Sequence, residues 1–135
     1  MTCLEEALLA EPRPAVLAAH SLGCHLVAAW AAHSKHTHRV RGALLVAPPD
    51  LDRADMPPQV TTWRPVLRRH LPFPTVLAHS DDDPYCSAAV AEQLAAEWGA
   101  SAWLLPGRGH VNAESGLGDW PDGLQRLRQL ASEAA

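Results

Sequence analysis

Positive charge is nowhere gathered in this chain. Eleven lysines and arginines stand against 15 acidic residues, a net charge of −4, and no basic run exceeds the Arg68-Arg69 pair. A nucleic acid or an anionic membrane surface would need a basic patch or stripe, so neither is expected as a partner. Long apolar runs are missing too, and none approaches the ~18 residues that span a bilayer. The first residues, with Glu5 and Glu6 and no basic start, do not read as a signal peptide. Three cysteines, at 3, 24 and 86, form no C-x-x-C pair, and the odd number argues against a disulfide framework. Gly107-Arg108-Gly109 is too short for either glycine-rich phosphate-binding pattern. What remains is a soluble, cytoplasmic globular domain. Its 135 residues suit one domain, and 47% hydrophobic against 19% charged residues is too apolar for disorder.

Within that domain, short apolar runs alternate with helical patterns. Leu4 to Leu9 reads as the tail of a helix, ended by Pro12 and Pro14. Ala15 to Ala19 is a continuous apolar run, the mark of a strand buried on both faces. Ser21 to Ala32 has helical spacing, Val40 to Ala47 is a second buried strand, and Thr75 to Ala78 a third. Cys86 to Trp98 is an alanine-rich amphipathic helix, Ala102 to Leu105 a fourth strand, and Pro121 to Ala134 a closing helix. Such alternation predicts a parallel sheet with right-handed crossovers and helices on both faces. Residues 48–74 interrupt it with seven prolines, and an insertion of that length reads as a lid or binding segment.

Ligands of a parallel sheet bind at the carboxyl ends of its strands. After the first strand comes Ala19-His20-Ser21-Leu22-Gly23, a small-x-Ser-x-Gly form of the nucleophile elbow. Small residues at 19 and 23 suit a turn so tight that side chains would collide. Ser21 would then project at the sheet edge, with the Leu22 N–H aimed at its oxygen. The alternative is that Ser21 merely caps the helix it begins. After the third strand stand Asp81, Asp82 and Asp83, either an acid or metal site or a helix start with solvated charges. After the fourth, His110 sits among glycines, where a lone histidine is commonly just solvated. Together the signals reinforce each other. Ser, Asp and His, each directly after its own strand, follow the chain order of the α/β-hydrolase triad.

The chain resembles the small serine hydrolases related to retinoblastoma-binding protein nine, the YdeN-type α/β-hydrolases. The resemblance rests on Ala19-His20-Ser21-Leu22-Gly23-Cys24, Ala47-Pro48-Pro49-Asp50, Ser80-Asp81-Asp82-Asp83-Pro84-Tyr85-Cys86 and the long run from Gly109 to Pro121. It extends from about residue 4 to the C-terminus. It implies an α/β-hydrolase domain over 1–135 in which Ser21 is the nucleophile, His110 the base and Asp83 the orienting carboxylate, with Asp82 as the second choice. The implied substrate is a carboxylic ester or small acyl compound, and no cofactor is needed. Trp63, in the insertion, and Trp120 are candidates for lining an acyl pocket. A non-catalytic interaction module of the same fold is the competing reading.

Members of that family run longer at the N-terminus, beginning with a strand and a Pro-Gly loop. Here Met1 lies only 20 residues ahead of Ser21, so the expectation is an N-terminally truncated domain. Strand 15–19 would then be an unpaired edge and a surface for self-association. The oxyanion hole would keep the Leu22 N–H and lack its second donor. Other features carry less. His33, His36 and His38 lack the spacing of a zinc site and suit a solvated helix end, and no metal site is expected. Cys24 reads as core filler, and Trp30, Trp98 and Trp103 as core.

Overall fold

The structure, a computed structural model, describes residues 2–10, 12–53, 69–111 and 120–133. Helix α1 (Thr2–Ala10) leads into strand β1 (Ala15–His20), helix α2 (Leu22–His33) and strand β2 (Val40–Val46). Then come β3 (Thr75–His79), α3 (Ala88–Trp98), β4 (Ser101–Leu104) and α4 (Pro121–Glu133). Most of the proline-rich insertion, residues 54–68 with Trp63, lies outside the described residues.

The four strands form one parallel sheet in the order β1-β2-β3-β4. Leu44 stands beside Ala18 and Val76, and Val46 beside His20 and Ala78. On β3, Ala78 pairs with Trp103 of β4. Successive side chains of a strand face opposite ways, so β2 feeds two cores. Ala43 and Leu45 pack with Cys24, Trp30, Leu77, Leu94 and Trp98 on the side of α2 and α3. Leu44 and Val46 pack with Val76, Ala78, Val111 and Leu130 on the side of α4. The result is three layers, helices on both faces of the sheet. Gly42 sets how closely α4 approaches: a Cβ there would lie 3.0 Å from the Pro74 carbonyl and 3.1 Å from the Leu130 Cβ.

Two expectations need adjusting. The apolar run at 15–19 does not make a strand buried on both faces, because β1 is an edge of the sheet and Ala18 and His20 are exposed. Trp103 is only half-buried, since β4 forms the other edge. Helix α3 has clear ends. Its Ser87 side chain accepts from the Val90 N–H at 3.2 Å, and Gly99 closes it with a left-handed φ of 71°. Among the described residues no helix is long and apolar enough to cross a membrane.

Candidate active site

The sheet ladder runs one residue past each strand, so the loops leave from fixed points. The Ser21 N–H donates to the Val46 carbonyl, Ala47 N–H to Ala78 and Leu105 N–H to His79, at 2.8, 2.8 and 2.7 Å. At this edge the backbone is strained. Ser21, Ala47 and Val111 all have positive φ (59°, 53° and 52°) without being glycine, a conformation that costs of order 1–3 kcal/mol each. Ser21, with ψ −126°, occupies the N-cap position of α2, yet its side chain makes no capping hydrogen bond. The hydroxyl turns to His110 instead. Gly23 is less constrained than the tight-turn argument implies, because a Cβ there would meet the Ala19 Cβ at an ordinary 3.6 Å.

Three side chains from three strand ends meet here. His110 Nε2 lies 2.8 Å from Ser21 Oγ, and His110 Nδ1 lies 2.9 Å from Asp83 Oδ2. A carboxylate only accepts, so Nδ1 carries the proton and Nε2 of the neutral ring is free to accept from the serine. Side-chain exposures of 12% for His110 and 2% for Asp83 shelter this pair from solvent screening. The other Asp83 oxygen accepts the Tyr85 N–H at 2.8 Å, which fixes the carboxylate's rotation. Leu22 opens α2, in the first turn whose amides lack intrahelical acceptors.

The neighbouring aspartates hold the histidine loop. Gly107 N–H donates to Asp81 Oδ1 at 2.9 Å, Arg108 N–H to Ser80 Oγ at 2.8 Å, and Gly109 N–H to Asp82 Oδ1 at 2.7 Å. Ser80 Oγ–H also donates to Asp82, at 2.6 Å. The Ser80 hydroxyl, and after it the Gly109 amide, hold the Asp82 carboxyl below its ordinary range. Three successive amides are thus clasped by three successive side chains. Asp82 faces the backbone, and Asp83 is the carboxylate that faces His110.

A model of the serine hydrolase family matches residues 1–129. The chain belongs to the serine hydrolase family. Its fold is similar to a protein described as a YdeN-like hydrolase from Pectobacterium atrosepticum, with TM-score 0.82 and 25% identity over 98% of this chain and 68% of that one. It is similar in fold to Paleococcus ferrophilus monoacylglycerol lipase, with TM-score 0.71 and 12% identity over 97% and 73% of the two chains. The Bacillus cereus carboxylesterase gives TM-score 0.60 and 21% identity over 94% and 56%. The comparison with curated proteins found no match.

In this serine hydrolase the cysteine three residues after Ser21 is not poised to react. Cys24 is buried, its Sγ–H points to the Val46 carbonyl, and burial pushes its thiol far up. Burial, with Asp50 and Asp83 nearby, likewise pushes Cys86 up to about 12. Trp120 stacks on Trp103 with ring centroids 5.6 Å apart, and Arg126 caps Trp103 at 4.4 Å. Trp120 also lines an apolar groove of about 490 Å³ with Ala18, Leu44, Val46 and Leu127. His20 and Val111, the neighbours of Ser21 and His110, line it too.

Several contributors act in ways that a strand-end position does not reveal. Ser80 and Asp81 work through loop amides, and His25 donates Nε2–H to the Pro49 carbonyl at 2.8 Å, supporting the turn after β2. The histidine at 25 carried no visible signal. The Ser80-Asp81-Asp82 run did, in its position directly after β3.

Proposed function

We propose that the chain hydrolyses a carboxylic ester or small acyl compound through an acyl-enzyme formed on Ser21. The observation that carries this reading is the unbroken chain from Ser21 Oγ through the His110 ring to Asp83, at 2.8 and 2.9 Å. His110 Nε2 takes the proton as Ser21 Oγ attacks the carbonyl, and Asp83 stabilises the imidazolium that forms. The ring then returns the proton to the leaving alkoxide, and water repeats the cycle on the acyl-enzyme. The Leu22 N–H supplies one donor to the oxyanion. A second donor in this fold comes from a loop after an earlier strand, and one such donor is worth ~10²–10³-fold in rate. Trp120 and the apolar groove accommodate the acyl part.

The test is hydrolysis of p-nitrophenyl esters of increasing acyl length. Activity that Ser21→Ala abolishes supports the reading, and activity that survives the substitution contradicts it. A second reading, an association module with an unused triad, is favoured by the β1 edge beside that groove. On that reading the chain self-associates through residues 15–19, and Ser21 stays inert toward a fluorophosphonate.

A further inference from the structure

His110 is held by more than Ser21 and Asp83. His20, at the end of β1, reaches it twice. Its Nε2 lies 2.8 Å from the His110 carbonyl, and the two rings stand with centroids 4.9 Å apart. A carbonyl only accepts, so His20 carries its proton on Nε2 and donates it there. Tyr85 brings a second ring against the His110 imidazole, edge-on at 4.7 Å. That tyrosine is itself pinned, its N–H on Asp83 and its carbonyl accepting the Asp50 N–H at 2.9 Å. The loop needs such support, because Val111 directly after His110 sits at a strained φ of 52°.

We propose that His20 and Tyr85 are positioning residues for His110. His20 ties the backbone of the base to the strand that carries Ser21, and Tyr85 limits the swing of the ring. This rests on the role of His110 as base. It gives the residue before Ser21 a task of its own. Proton transfer requires Nε2 to stay within hydrogen-bond reach of Ser21 Oγ, and a misplacement of about 1 Å can cost ~10²-fold in rate.

The experiment uses the full chain with two substitutions at an exposed position, His20→Phe and His20→Gln. The first keeps a ring and removes the donor, and the second restores an N–H at similar reach. Two readouts are taken: the rate of labelling by a fluorophosphonate, and the downfield proton resonance of the His110 Nδ1–H on Asp83. His20→Phe is expected to label about three- to tenfold more slowly, the worth of one hydrogen bond, with a broadened resonance. His20→Gln recovers most of both. With an ester substrate, the His20→Phe loss falls on kcat, and Tyr85→Ala moves the same readouts in the same direction. Labelling of His20→Phe at the parent rate with a sharp resonance would overturn the proposal, as would His20→Gln behaving like His20→Phe. A parent chain that no fluorophosphonate labels contradicts the hydrolase reading instead. The resonance still decides whether His20 holds His110.

Discussion

Replacing Asp83 by asparagine keeps the shape of the group facing His110 and removes its charge. Both carboxylate oxygens are in use, Oδ2 2.9 Å from His110 Nδ1 and Oδ1 accepting the Tyr85 N–H at 2.8 Å. An amide has one acceptor and one donor to fill two acceptor positions. With its oxygen toward Tyr85, its N–H meets His110 Nδ1 and selects the tautomer protonated on Nε2. With its oxygen toward His110, two N–H groups oppose each other at Tyr85. The first arrangement wins, because it leaves no donor facing a donor. An imidazole protonated on Nε2 cannot take the Ser21 proton. A drop of ~10³–10⁴-fold follows, about 4–5.5 kcal/mol of transition-state stabilisation. Asp82→Asn is the control. Its remaining oxygen can still accept from both Ser80 Oγ and the Gly109 N–H, so the loss should stay below about tenfold. The assay is the rate of fluorophosphonate labelling, with thermal unfolding to show that both variants are folded. Asp83→Asn within tenfold of the parent, or Asp82→Asn as slow as Asp83→Asn, would refute the reasoning.

Two further outcomes are expected. Gly123→Ala puts a Cβ 2.4–2.8 Å from ring atoms of Trp120, so the indole must leave its stack on Trp103. A stability loss of about 1–3 kcal/mol, with a changed near-ultraviolet dichroism, checks this, and an unchanged signal contradicts it. His79 is buried in β3 with no hydrogen-bond partner for Nδ1 among the described residues. Burial lowers its pKa against the opposing pull of Glu92 and Asp81. The folded state therefore binds this proton less well than the unfolded chain. The contribution is complete above the ordinary value near 6.5 and is lost as pH falls through the lower folded value. Urea midpoints should fall less between pH 8 and pH 5 in His79→Leu than in the parent, and an equal fall contradicts the assignment.

Much of this was legible because parallel strands share one carboxyl edge. Ser21, Asp83 and His110 each follow an apolar run, so reading strand ends places them together without knowing any loop. Burial was less legible from the runs themselves: Ala15 to Ala19 and Val40 to Val46 are both apolar, yet β1 is an edge, as only the comparison with longer family members led one to expect, and β2 is central. Composition cannot say what pairs with a strand. The division of labour among the three aspartates was not legible either. It depends on a loop that turns through left-handed glycines at 107 and 109 to aim three amides back at the residues just after β3. Nor was the Trp103-Trp120-Arg126 stack, which joins a strand to a distant helix by side-chain geometry alone.

The most direct measurement is intact mass after exposure to a fluorophosphonate, followed by peptide mapping. The account expects one adduct per chain, on Ser21, absent from Ser21→Ala and strongly slowed in His110→Ala. A folded chain that gains no mass, or whose adduct maps to another residue, would contradict it.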